Sequence, residues 1–295
     1  MIKKYLKKTF KKISYGFFLK IYGHINGTIE NFDDDRIKVK KINLENKLTY
    51  NIYEILNARL YTDRIHNTAA ILDNKIIDGP SFQLRQDSDF SIYNSEVKNN
   101  IVLKIGTPRK LIKLNGTVLS LLTGGAGNDN YWHWIYDVMP RLYLCSKLLN
   151  WEQIDFFLLP SLKKKYQKET LDFLNIPKKK RISSEKFRHI TANKIIITDH
   201  PVVTTGNATK DIQNIPVWIT EWLKDVFVKN NNKENENKVY IDRDDEKKTI
   251  TPQRLISNNL EVKKYLMAKN FKSTKLHKIS FKEQIELFSN ANCIV

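Results

Sequence analysis

The second half of the chain alternates between short apolar segments and stretches of helical length, and no other feature constrains the fold as strongly. From residue 131 the pattern predicts a helix to about residue 149, the buried strand DFFLLP, a helix at about 162 to 175 and the strand KIIITD. Strands that alternate with helices are typical of β-α-β units, in which neighbouring strands run parallel. The alternation therefore predicts an α/β protein with a largely parallel sheet.

The same rhythm starts again near residue 238. The strand KVYIDR precedes a predicted helix with Thr251 as N-cap and Pro252 at its first position, and the strand FKSTKLH follows. The helix SFKEQIELFSNA opens with Ser280 and Glu283, three residues apart, which is a capping box. The last residues, CIV, begin another apolar strand, so we expect the second α/β domain to be incomplete.

A linker is predicted between the two blocks. It contains the tryptophan-bearing helix IPVWITEWLKDVFV and the segment KNNNKENENK, which has no apolar residue to bury. In the first block, Asn115-Gly116 lies between two apolar runs and predicts a hairpin turn. The predicted organisation is a basic amphipathic helix at 1–22, an α/β domain at 23–205, a linker at 206–238 and an incomplete Rossmann-like domain at 239–295.

The charge of the chain is strongly positive, with a net value of +18. Such an excess favours an acidic partner such as nucleic acid or an anionic membrane. Only ten of the 50 basic residues are arginine, however, and no RNP, KH or helix-turn-helix pattern accompanies the charge, so we expect no nucleic-acid partner. Cys145 and Cys293 are far apart and show no metal-site spacing, which fits a reducing cytosol.

The N-terminus combines the charge with an apolar stripe. Pairs of lysines, at residues 3–4, 7–8 and 11–12, lie between apolar residues at helical spacing, which are Ile2, Leu6, Phe10, Ile13, Phe17 and Ile21. This pattern favours a helix that lies on anionic lipid, at the inner face of the plasma membrane. The alternative is a helix that packs on its own domain.

The segment GGAGNDNYWHWIYDVMPRLYL, residues 124 to 144, holds the candidate site. His133, Asp137 and Arg141 are spaced four residues apart, so they line one face of the predicted helix, beside the apolar Trp134, Val138, Cys145 and Leu149. Asp129 or Asn130 is predicted to cap this helix, and Pro140 to kink or loosen it. The glycines do not have the spacing of a dinucleotide fingerprint. The three polar residues could be a catalytic group or a self-satisfied structural relay.

Several motifs resemble those of the family 61 glycosyltransferases, which include many bacterial capsular polysaccharide biosynthesis proteins. NYWHWIYDVMPRL is similar to the family's N-Y-x-H-W-x-x-D-x-x-P-R motif. VYIDR, RLISNNLEV and ISFKEQIELFSNANCIV are similar to its later segments, in the same order, so the resemblance covers roughly residues 115 to 295. The chain departs from the family pattern at Asp242, Asn259 and Asn270, and it lacks the G-x-H-G-A segment that follows in the family.

The resemblance implies a GT-B architecture of two Rossmann-like domains, the second incomplete here, and an inverting sugar transfer that requires no metal or other cofactor. The first domain would bind the glycan or lipid-linked glycan acceptor and the second the nucleotide sugar. His133, supported by Asp137, would be the catalytic base. Arg243, Arg254 and Asn258 would bind the donor diphosphate, and Asn130 and Arg141 would support the acceptor side.

Two other interpretations remain open at this point. The triplet DRD at 242–244 matches the D-x-D pattern of a metal-dependent transferase, although short acidic runs are common in solvated loops. Because the family's G-x-H-G-A segment is missing, the chain could instead be an inactive remnant that docks on a membrane or a partner.

Overall fold

The computed structural model describes residues 2–44, 48–62, 68–86, 92–122, 130–205, 208–228, 237–243 and 256–295. The chain divides into two compact units. The first unit contains Met1–Gln167 and Asn175–Thr220, and the second contains Lys168–Leu174 and Glu221–Val295.

The helices and strands are numbered along the chain. The helices are α1 (Ile2–Tyr22), α2 (Ile101–Ile105), α3 (Tyr131–His133), α4 (Pro140–Ser146), α5 (Lys165–Phe173), α6 (Ala208–Gln213), α7 (Val217–Phe227), α8 (Asn259–Ala268) and α9 (Phe281–Ser289). The strands are β1 (Thr28–Ile29), β2 (Ile37–Asn43), β3 (Thr49–Leu56), β4 (Arg59–Thr62), β5 (Thr68–Leu72), β6 (Lys75–Ile77), β7 (Gln83–Gln86), β8 (Ile92–Ser95), β9 (Ile112–Ser120), β10 (Phe156–Leu159), β11 (Arg181–Ser183), β12 (His189–Thr198), β13 (Asn237–Ile241), β14 (Phe271–Thr274) and β15 (Ala291–Ile294).

The sheet of the first unit is mixed, so the prediction of an α/β fold is confirmed and that of a largely parallel sheet holds for one part only. The strands β11, β10, β9 and β12 lie side by side and run parallel. The pairs β2–β3, β3–β12, β12–β4, β4–β5 and β5–β6 are antiparallel. Short connections explain the difference: β5 and β6 are joined by Asp73 and Asn74, both with positive φ, as a two-residue hairpin requires.

The four parallel strands have the order of the first four strands of a Rossmann fold. Counted along the chain, β9 is first and β12 fourth, and the spatial order β11-β10-β9-β12 is therefore 3-2-1-4. In such a sheet, ligands bind beyond the carboxyl ends of the strands where the order reverses. In this unit that position lies between β9 and β12.

The hairpin predicted at Asn115-Gly116 is wrong, because β9 runs through both residues. Gly116 has φ +135°, and the pairing of β9 with β12 shifts there. Leu114 pairs with Ala192 and Thr117 with Lys194, so β9 has one more residue than β12 between these two pairs. This is a β-bulge, which places an extra residue in one strand of a pair. The glycine that suggested a turn is the residue that the bulge needs.

The core of the first unit holds its sheet together. Both faces are apolar near the centre, and the fully buried side chains there include Leu60, Val118, Leu158, Ile190 and Ile195. Burying a side chain of this size contributes roughly 1.5 to 3 kcal/mol. The rigid sheet therefore fixes the ends of β9 and β12.

The predicted basic helix corresponds to α1, which is anchored near its end. The Tyr22 ring packs edge-on against His189 at 5.0 Å, and the Tyr22 hydroxyl accepts a hydrogen bond of 2.9 Å from the backbone N–H of Leu111. Four apolar side chains of the helix remain exposed, which are Phe10, Ile13, Phe17 and Ile21. Within the described chain no helix is both long and apolar enough to cross a bilayer.

The second unit contains a parallel sheet with the order β14-β13-β15. The chain order β13-α8-β14-α9-β15 is the alternation that the sequence predicts. The capping box at Ser280 and Glu283 is confirmed at the start of α9. Asn270, which stands where the resembled family has glycine, has φ +64°, a conformation that asparagine tolerates best after glycine. The predicted helix start at Thr251 and Pro252 lies outside the described residues.

A candidate acid-base site at the ends of two parallel strands

The helix that carries the candidate site begins with a side-chain cap. The Asn130 carbonyl oxygen accepts a hydrogen bond of 2.9 Å from the backbone N–H of Trp132, as an N-cap residue does. The alternative cap, Asp129, and the glycine-rich turn at 124–128 lie outside the described residues. Asn130 thus fixes the first turn, which ends at His133.

The next turn is a π-helix from Trp134 to Val138, and Pro140 explains its position. Proline has no backbone N–H, so the carbonyl of Tyr136 cannot receive the usual bond from four residues ahead. The N–H of Met139 bonds instead to the carbonyl of Trp134, five residues back, at 3.0 Å. Single π-turns are frequent at functional sites. The predicted loosening by Pro140 therefore takes the form of a wider turn.

The structure brings His133, Asp137 and Arg141 together. His133 Nδ1 lies 2.7 Å from Asp137 Oδ2, and the side chain of Asp137 is only 2% exposed while that of His133 is 25% exposed. Arg141 donates from Nε to the backbone oxygen of Asp137 at 3.0 Å, rather than to its carboxylate. It also donates to the backbone oxygen and hydroxyl of Thr198, at 3.0 and 3.1 Å.

Arg141 is the buried cation of this cluster. Burial lowers its pKa to about 10, so it stays charged at neutral pH although it is only 3% exposed. Its bonds to Thr198 tie the helix to the end of β12. A cation this deep also stabilises the negative charge of Asp137, whose backbone it contacts.

A second histidine, which the sequence reasoning missed, faces the same carboxylate. His200 Nε2 lies 3.9 Å from Asp137 Oδ2. Its Nδ1 accepts hydrogen bonds from the backbone N–H groups of Val202 and Val203, at 3.2 and 3.1 Å, so the neutral ring carries its proton on Nε2. Burial lowers the pKa of His200 to about 4, so the ring is neutral under ordinary conditions.

A signal for His200 was present in the sequence. It directly follows the buried segment KIIITD, and polar residues just beyond the carboxyl end of a parallel strand are placed for binding or catalysis. What the sequence does not contain is the strand order. Only the pairing of β12 with β9 reveals that His200 lies where the order reverses.

The geometry defines what the cluster can do chemically. The carboxylate of Asp137 accepts from His133 Nδ1, which leaves the Nε2 lone pair of the neutral ring available to take a proton. Asp137 Oδ1 is buried with no hydrogen-bond partner among the described groups. Trp132 packs edge-on against the His133 ring at 5.0 Å and covers one side of it. A partly exposed imidazole held by a buried carboxylate is an arrangement that suits a general base.

The donor-side residues predicted from the sequence belong to the second unit. Arg243 is exposed and follows β13, and Asn258 is exposed and precedes α8, with its side chain 3.4 Å from Glu261. Arg254 lies outside the described residues. In the order β14-β13-β15 the strand connections diverge between β13 and β15, so Arg243 lies at the place where such a sheet binds ligands.

Asp242, the first residue of the triplet DRD, is already paired. Its buried carboxylate accepts hydrogen bonds from Lys263 at 2.6 Å and from Ser273 at 3.2 Å. Asn259, another departure from the resembled family, bonds to Tyr240 and lies 3.5 Å from Asp242. Asp244 lies outside the described residues. In the part of the chain that is described, no three histidine, cysteine or acidic side chains converge as a metal site would require.

Comparison with known proteins identifies the family of the chain. No curated protein matches the chain. The family model described as Glycosyltransferase 61 matches residues 131–295, from the first residue of α3 onward, and so includes the π-turn, His200 and the second unit. Since this match covers more than half of the chain, the protein belongs to the glycosyltransferase 61 family.

Proposed function

We propose that the protein transfers a sugar from a nucleotide-sugar donor to a hydroxyl group of a glycan or lipid-linked glycan, in the synthesis of capsular or other surface polysaccharide. Membership of the family supports glycosyl transfer, and the 2.7 Å contact of His133 with buried Asp137 carries the proposal for the mechanism. The proposed architecture is GT-B. The 3-2-1-4 strands of the first unit and the three parallel strands of the second support two Rossmann-like domains.

In the proposed step, His133 Nε2 takes the proton of the acceptor hydroxyl while its oxygen bonds to the anomeric carbon of the donor sugar. The bond from that carbon to the diphosphate breaks, and the diphosphate leaves with the electron pair. Attack from the opposite face inverts the anomeric centre. Asp137 orients the ring and stabilises the imidazolium, and general-base assistance of this kind contributes about 10² to 10⁴ in rate.

The donor diphosphate would be bound by the second unit. The position of Arg243 after β13 supports this role for it, and the sequence resemblance supports it for Arg254 and Asn258. Arginine binds phosphate oxygens through two parallel hydrogen bonds, which can replace a metal ion in stabilising the leaving group. The proposed mechanism therefore needs no metal or other cofactor. We expect transfer to persist in EDTA, and its complete loss would favour the metal-dependent alternative.

We also propose that α1 holds the enzyme on the cytoplasmic face of the plasma membrane. Phe10, Ile13, Phe17 and Ile21 are 73%, 67%, 58% and 54% exposed, although they are large and apolar. The same helix carries seven lysines, which an anionic surface attracts. Apolar burial and charge attraction together give stable but reversible attachment.

The test of the base uses a matched pair of histidine variants. Purified protein is incubated with a panel of UDP, GDP and dTDP sugars and a lipid-linked glycan extract, and nucleotide release is measured. His133→Ala should reduce release by at least about a hundredfold while leaving nucleotide-sugar binding unchanged. His24→Ala, in an exposed residue outside the site, should behave as the unchanged protein. Near-normal release by His133→Ala would refute the assignment.

Vesicle flotation tests the membrane proposal and its alternative. The protein should float with phosphatidylglycerol vesicles and not with phosphatidylcholine vesicles. The double change Phe10→Ser and Phe17→Ser should abolish flotation, whereas Leu148→Ser, in another exposed apolar residue, should not. Flotation without nucleotide release from any donor of the panel would favour the inactive docking protein over the transferase.

A further inference from the structure

A cavity of about 450 Å³ lies in the first unit, within the size range of small-molecule sites. Among the described residues, its lining consists of four acidic side chains, aromatic rings, one lysine and a few small or neutral residues. The residues that matter here are Glu30, Asp78, Glu96, Asp199, Tyr50 and Phe82. An acidic cavity is unexpected in a chain whose net charge is +18.

Two of the carboxylates are available to a ligand. One oxygen of Asp78 accepts from the backbone N–H of Gly79 at 2.8 Å, and one oxygen of Glu30 accepts from the Thr28 hydroxyl at 2.9 Å. Among the described groups, the second oxygen of each has no partner. Both residues are exposed at the rim, so they face an incoming molecule without a further cost of burial.

The other two carboxylates keep the cavity negative without binding a ligand directly. Glu96 is paired at 2.5 Å with Lys98, the only lysine among the described residues of the lining. The two oxygens of Asp199 accept from the Tyr53 hydroxyl at 3.0 Å and from the backbone N–H of Asn51 at 2.7 Å. With Lys98 neutralising one of the four acids, the described part of the lining retains an excess of negative charge.

The floor of the cavity connects it to the candidate base cluster. Tyr50 is 2% exposed, and its hydroxyl donates to the backbone oxygen of Pro201 at 2.9 Å, so its ring is fixed. Phe82 packs edge-on against His200 at 5.8 Å. His200 is 5% exposed and lines the cavity, and its Nε2, which has no hydrogen-bond partner among the described groups, lies 3.9 Å from Asp137. One side chain thus separates the cavity from Asp137.

The charge selects between the two substrates of a glycosyl transfer. A nucleotide sugar carries a diphosphate, which the acidic rim repels. A saccharide with a free amino group carries an ammonium ion, which Asp78 and Glu30 attract and which aromatic rings also stabilise. We propose that this cavity binds an amino-bearing saccharide as the acceptor. The binding of the saccharide is inferred from the cavity alone, whereas its role as acceptor rests on the proposed transfer reaction.

The experiment compares two probes of equal length, a β-linked tetrasaccharide of glucosamine and its fully N-acetylated form, by calorimetry in the absence of donor. The glucosamine probe should bind at least about tenfold more tightly, because charge-assisted hydrogen bonds are about twice as strong as neutral ones. The double change Asp78→Asn and Glu30→Gln should remove this preference. Glu152→Gln, in an exposed acid outside the cavity, should retain it.

Each outcome decides the proposal. Equal binding of the two probes, a preference that survives the double change, or a preference that Glu152→Gln removes would overturn it. The two rim substitutions preserve size and hydrogen bonding, and an unchanged thermal unfolding midpoint will show that they fold. Amine-selective binding without nucleotide release would refute the transfer reaction alone, whereas transfer without amine selectivity would refute the acceptor site alone.

Discussion

Two buried histidines should make the stability of the protein depend on pH. His189 is fully buried, with Nδ1 donating to the backbone oxygen of Arg109 at 3.0 Å, and His200 is 5% exposed. Burial lowers the pKa of each from 6.5 to about 4. Both rings are therefore neutral in the folded protein at pH values where the unfolded chain would bind protons.

The sign and size of the effect follow from proton linkage. Between pH 6.5 and about pH 4 the unfolded chain binds more protons than the folded protein, so the free energy of unfolding falls as the pH falls. One pH unit is worth about 1.4 kcal/mol per group. When the pH falls from about 7.5 to about 5.5, each histidine should lower the free energy of unfolding by about 1.3 kcal/mol, and the two together by roughly 2.5 kcal/mol.

Urea unfolding at the two pH values measures this loss. The double change His189→Gln and His200→Gln should remove about 2.5 kcal/mol of the pH dependence, even where it lowers stability at both pH values. His24→Gln, in an exposed residue, is the control. Burial raises the pKa of Asp199, so this residue contributes to the pH dependence with the opposite sign. Its contribution is the same in the double variant and in the unchanged protein, so it cancels when the two are compared. An equal pH dependence in the double variant and the unchanged protein would refute the reasoning.

Two further predictions concern packing. Gly79→Ala should reduce the free energy of unfolding by about 2 to 4 kcal/mol, because Gly79 has φ +79° and an added Cβ would lie 2.2 Å from the Tyr53 hydroxyl. Gly27→Ala, at φ +108° with open space around it, should reduce the free energy of unfolding by only about 1 kcal/mol. Equal losses for the two variants in urea unfolding would contradict the predicted clash. Of the two thiols, Cys145 is fully buried with its pKa raised to about 12 by burial, so a thiol reagent should label Cys293 alone in the native protein and both in denaturant. Equal native labelling of both would place Cys145 at the surface.

Much of the fold was predictable where local chemistry decides it. The capping box of Ser280 places the start of α9, the apolar run DFFLLP becomes β10, and Pro140 predicts the disturbed helix at the site. Each of these signals involves neighbours within a few residues. His133 and Asp137 could be paired from sequence for the same reason, since they lie four positions apart.

What could not be predicted depends on contacts between distant segments. Asn115-Gly116 has the composition of a hairpin turn, and only the pairing of β9 with β12 makes it a bulge. His200 joins the site because β12 lies beside β9, a neighbour about 80 residues earlier in the chain. The acidic cavity collects Glu30, Asp78 and Asp199 from three separate regions, and no spacing rule relates them.

The π-turn also changes how positions along this helix should be counted. A wider turn takes up one extra residue, so His133 and Arg141, eight positions apart, align as residues seven apart would in a regular α-helix. Seven residues bring an α-helix back to within about 20° of the same line, whereas eight leave it about 80° away. The turn thus acts as a one-residue insertion that the helix absorbs, which rotates the imidazole back into line with the guanidinium.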